Sequence, residues 1–69
     1  MEWRDAQANG EWRLMDDGWF LARVVRHRDG WRAYVCRTGA EVPGAPFESL
    51  EAAQAAAVGT VKMAPVRRG

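Results

Sequence analysis

The chain has little of the chemistry that small proteins use to staple or activate themselves. A single cysteine, Cys36, in 69 residues excludes an internal disulfide and matches the usage of a reducing compartment, so the cytoplasm is the expected location. One histidine, His27, together with that cysteine cannot supply the three or four ligands of a zinc site. The only serine, Ser49, has no acid and base placed around it in the sequence to form a nucleophilic pair, and no glycine-rich phosphate loop precedes a helix signal. The expectation is a chain without catalysis, without a metal and without a cofactor. No apolar run approaches the roughly 20 residues of a membrane span, and the acidic start lacks the basic-then-apolar pattern of a signal peptide.

What is present is ordinary for a globular domain: 48% hydrophobic and 28% charged residues, with four tryptophans to supply core area. A chain of this size allows one domain spanning 1–69 and buries only about 60% of the surface exposed when unfolded. The net charge is +1, but its distribution along the chain is uneven. Residues 1–17 hold five acids against Arg4 and Arg13. Residues 18–39 hold Arg23, Arg26, Arg28, Arg32 and Arg37 against Asp29 alone, and the remaining charges balance.

The basic segment also carries the strand signals. Asp29-Gly30 between alternating residues reads as a hairpin turn, predicting strands at about 19–28 and 31–38. Asp16-Asp17-Gly18 reads as a three-residue loop that returns a strand at about 11–15. In that register one face carries Trp12, Leu14, Phe20, Ala22, Val24, Trp31, Ala33 and Val35. The opposite face carries Arg13, Met15, Trp19, Leu21, Arg23, Val25, His27, Arg32, Tyr34 and Cys36.

A helix at about 50–62 is expected to cover the apolar face. Ser49 suits its N-cap, Glu51 its first turn, and the alanines permit close approach to a sheet, with Leu50, Ala53, Ala57 and Val61 on one stripe. Gly59 leaves a second option, in which it caps the helix and Val61 and Met63 form a short closing strand. Residues 39–48 contain Pro43, Gly44 and Pro46 and read as a loop or at most a short edge strand. Both termini read as frayed. The fold class is α+β: a three-stranded antiparallel meander with one helix packed on one face.

The mixed face is the candidate binding site, with Arg13, Trp19, Arg23, His27, Arg32 and Tyr34 as its contact residues. Arginines can meet phosphates while aromatic rings stack on bases, which points to nucleic acid. Trp, Tyr, Met and Arg are also the types enriched at protein interfaces, which keeps a protein partner or a homodimer through the same face open. Arginine stems and rings covering a thin sheet are a third option. Cys36 falls opposite Arg23, whose charge would lower its pKa, although packing is the commoner role of such a cysteine.

"GWRAYV" (30–35) followed by "PFESLEAAQAAA" (46–57) resembles the AP2-type DNA-binding domain and the related arm-binding domains of phage integrases. The resemblance implies a three-stranded sheet packed on a helix, with Ala33 and Val35 on the helix side and Arg32 and Tyr34 on the side that meets DNA. Cys36 stands where an arginine is usual, and Pro43 and Pro46 interrupt the segment expected to form a third strand. The chain is also generically similar to small prophage proteins, including inhibitors of bacterial defence systems. Such an inhibitor would use the acidic segment with Trp3 and Trp12 as its contact region.

Overall fold

A computed structural model describes residues 1–6 and 10–63. It is an α+β fold in which four antiparallel strands run in sequence order: β1 (Glu2–Asp5), β2 (Glu11–Asp16), β3 (Trp19–His27) and β4 (Gly30–Val35). A single helix, α1 (Leu50–Met63), follows and packs on β3 and β4. The expected three strands thus gain a fourth at the N-terminal end. Residues 2–5 are not frayed but pair with β2, Trp3 opposite Leu14 and Arg4 opposite Arg13. The expectation of a frayed C-terminal tail falls outside the described residues.

The β2–β3 connection is a two-residue turn. Asp17 and Gly18 have φ of 52° and 85°, the positive pair of a type I′ turn, and Asp16 faces Trp19. A two-residue turn alone would put the apolar residues of the two strands on opposite faces. A register shift beside Leu14 and Met15 corrects this, so that Met15 opposes Phe20 while Leu14 opposes Ala22. The consequence is a swap: Leu21 packs against the core, whereas Phe20 is 38% exposed under the Arg13 guanidinium.

At the next hairpin the turn is Arg28-Asp29, and Gly30 opens β4 opposite His27. Glycine is needed there for a different reason from the one the dipeptide suggests. A Cβ on Gly30, whose φ is +140°, would lie 2.6 Å from the Phe47 carbonyl oxygen, so the residue admits the segment that seals the sheet edge. Arg26 therefore faces Trp31, and Val24 faces Ala33. These pairs sit two residues from the expected register, which leaves every side chain of β3 and β4 beyond Leu21 on its expected face. β4 ends at Val35, and Cys36 and Arg37 belong to the turn that follows.

That sealing segment runs along β4 as a broken strand. The amides of Val42 and Phe47 donate to the carbonyls of Ala33 and Trp31 at 2.8 Å, and those of Val35 and Trp31 donate back to Ala40 and Phe47 at 2.9 Å. The core lies between sheet and helix and comprises Leu14, Ala22, Val24, Ala33, Val42, Ala53 and Ala57, with Trp3, Trp12, Trp31, Phe47, Leu50 and Val61 packed around it. Ala53 and Ala57 are fully buried, as the alanine stripe requires for close approach. Ser49 caps the helix, its Oγ accepting from the Ala52 amide at 3.1 Å. The helix continues through Gly59 to Met63, so the closing-strand alternative does not occur. No helix among the described residues is long and apolar enough to cross a membrane.

Candidate functional site

The sheet face turned away from α1 is built in rows, because residues directly opposite one another on neighbouring strands point to the same side. One row crosses the whole sheet: Arg4 on β1, Arg13 on β2, Arg23 on β3 and Tyr34 on β4, with Glu41 beyond it. On one side of this row lie Glu2, Met15 and Phe20, and on the other Glu11, Val25 and Arg32.

Each arginine is held differently. Arg4 donates to Glu2 at 2.5 Å and Arg13 donates to Glu11 at 3.1 Å, both along their own strands. The Arg13 guanidinium also lies 5.1 Å from the Phe20 ring centre, and that of Arg23 lies 5.0 Å from Tyr34. Arg23 has no carboxylate among the described residues; the Tyr34 ring is its contact. Arg32 is tied from both ends, Nη1 to Glu41 Oε2 at 2.7 Å and Nη2 to Asp29 Oδ2 at 2.8 Å. The hydrogen bond and charge of Arg32 hold the Asp29 carboxyl below its ordinary value, the hydrogen bond being the main cause.

Of the six expected contact residues, the fold brings Arg13, Arg23 and Tyr34 into one row. Arg32 shares their face but has its charge matched by two acids. His27 stands exposed at the far end of β3, opposite Gly30. Trp19 does not join the row. It is 72% exposed and lines a groove of about 610 Å³ with Leu21, Val35, Cys36, Arg37 and Val61, beside the last turn of α1.

One participant lies beyond the expected set. Arg4 enters the row through β1, whose signal in the sequence is the tripeptide Glu2-Trp3-Arg4 recurring at Glu11-Trp12-Arg13. Arg26 stacks 6.0 Å from the Trp31 ring centre on the helix side. The expected contrast between an acidic N-terminal segment and a basic sheet is also corrected. Residues 2–5 and 11–16 form half of that sheet, and their acids lie beside its arginines.

The amide of Cys36 donates to the Leu21 carbonyl at 3.1 Å. Burial pushes its thiol up, outweighing the lowering influence of Arg23 and Arg13, which reverses the direction expected from the sequence. Among the described residues no three His, Cys, Asp or Glu side chains gather into a group that could hold a metal ion. Comparison with protein-family models, with curated proteins and with solved structures gives no match for this chain.

Proposed function

We propose that the protein is a non-catalytic binding module of the cytoplasm that takes single-stranded nucleic acid on its open sheet face. The observation that carries this reading is the row Arg4–Arg13–Arg23. Like charges directly opposite one another on neighbouring strands destabilise a sheet, so three arginines in one row are a cost to this fold that an anionic ligand would offset. Glu2 and Glu11 offset part of it, and Arg23 is the member with no carboxylate among the described residues. The stacks of Arg13 on Phe20 and Arg23 on Tyr34 hold two guanidinium planes over rings, a surface on which unpaired bases can stack while the charges meet phosphates.

Width favours a single strand over a duplex. Four strands about 4.8 Å apart, with their side chains, make a face broader than the roughly 12 Å major groove. The AP2-like mode, in which a three-stranded sheet enters that groove, therefore suits this chain less well than the resemblance over residues 30–57 implies.

Titration of the full chain with an unstructured oligonucleotide and with duplex, followed by amide NMR at two salt concentrations, tests the reading. The expected result is shifts centred on residues 4, 13, 23 and 34, stronger with the single strand. The logarithm of affinity should fall with the logarithm of salt at a slope of about −2 for three phosphate contacts. Arg23→Ala should weaken binding about tenfold. Absence of shifts at low salt overturns the reading.

A second reading, a small phage-type inhibitor acting by protein–protein contact, is favoured by a separate observation. Trp19 stands exposed beside an apolar groove at the opposite end of the sheet from His27, and exposed tryptophan is a common anchor of such contacts. In that case Trp19→Ala abolishes binding to the partner and Arg23→Ala does not.

A further inference from the structure

The two edges of the sheet are unlike. β4 is sealed by residues 40–47, whereas β1 has β2 on one side and no strand on the other among the described residues. A strand edge with no neighbouring strand is a template for another strand. Charged side chains often blunt such edges, and β1 has them in Glu2, Arg4 and Asp5. Here, however, Glu2 and Arg4 are opposite in charge and symmetric about Trp3.

We infer that the β1 edge pairs antiparallel with β1 of a second copy of this chain, centred on Trp3, to make one continuous eight-stranded sheet. In that register Trp3 lies across from Trp3 of the second copy, and Glu2 lies across from Arg4 of the second copy, twice by symmetry. The four charges close into an alternating square, since Glu2 and Arg4 already pair within each copy. Sliding the pairing by one residue on each strand sets Arg4 against itself in one direction and Glu2 against itself in the other, so charge selects the centred register. The faces also agree. α1 packs on β3 and β4, away from the axis, so α1 does not block the approach, and the half-buried Trp3 rings meet on the helix side of the joined sheet. The two open faces then lie side by side, each with its own arginine row.

The inference is independent of the proposed ligand and is tested by sedimentation equilibrium of the full chain from low to high micromolar concentration. The unmodified chain should associate reversibly to a dimer. Arg4→Glu and Glu2→Arg, each alone, should weaken that dimer about tenfold or more, because each places like charges across the axis. An equimolar mixture of the two variants should regain association as a mixed pair, and the double variant E2R/R4E should regain it alone. Circular dichroism checks that each variant keeps its sheet. A chain that stays monomeric throughout overturns the inference, as does a dimer indifferent to Arg4→Glu or a mixture that fails to associate.

Discussion

The Arg32 guanidinium donates to Glu41 Oε2 at 2.7 Å and so ties β4 to the segment that seals its edge, while its other terminal nitrogen holds Asp29 in the neighbouring turn. The pairing fixes the sign of a pH effect. Asp29 has its folded-state pKa lowered, so its contribution to stability is present above the unfolded value near 3.8 and is lost as pH falls through the lower folded value. Thermal melts should therefore show a stability difference between the unmodified chain and Asp29→Asn that narrows as pH falls below the ordinary value of 3.8 and through the lowered folded one. A difference that persists unchanged at low pH would show that the carboxylate is not the stabilising group.

Leu14 and Phe20 report on the register shift in β2 and β3. Leu14 is 1% exposed in the core, so Leu14→Ala should cost about 3 kcal/mol in urea denaturation. Phe20 lies on the open face, so Phe20→Ala should cost less than about 1 kcal/mol. Equal costs would mean that Phe20 lies on the Leu14 face, where a three-residue loop at 16–18 would place it.

Gly18 and Gly30 separate two reasons for glycine. Gly18→Ala meets nothing within 4 Å and bears only the strain of φ +85°, about 1 kcal/mol. Gly30→Ala drives a methyl into the Phe47 carbonyl and should cost clearly more, with loss of amide protection at Trp31 and Phe47 in hydrogen exchange.

Cys36 should react slowly with iodoacetamide at neutral pH compared with a free thiol and accelerate as pH rises. Arg23→Ala should slow it further, since the Arg23 charge is one of the influences that lower the thiol pKa. Faster labelling in that variant would mean that Arg23 shields the sulfur rather than activating it.

How much of this was legible in the sequence follows from parity. Misplacing the second turn at Asp29-Gly30 displaces the β3–β4 pairs by two residues, and two is the repeat of a strand, so Ala22, Val24, Ala33 and Val35 still fall inward. The turn at Asp17-Gly18 is one residue shorter than the expected loop, which exchanges Phe20 and Leu21, and the shift beside Leu14, which carries no mark in composition, returns Ala22 and the residues after it to their expected faces. β1 is four residues long with three charges, too little for periodicity to register, and its partner makes it a strand. The body of the helix is legible, because Ser49, Glu51 and the alanine stripe all favour the same structure, whereas its end is not, because Gly59 can cap a helix or lie inside one. Charge read along the chain misleads. It sets an acidic segment against a basic one, while the antiparallel pairing of β2 and β3 lays Glu11 and Arg13 beside Val25 and Arg23.

The sealed flank of β4 also bears on how far association can go. With Ala40, Val42 and Phe47 hydrogen-bonded to Val35, Ala33 and Trp31 on that flank, the described chain offers one template edge rather than two. Two-fold pairing through β1 uses up the template of both participants, so strand addition through the described residues stops at a pair.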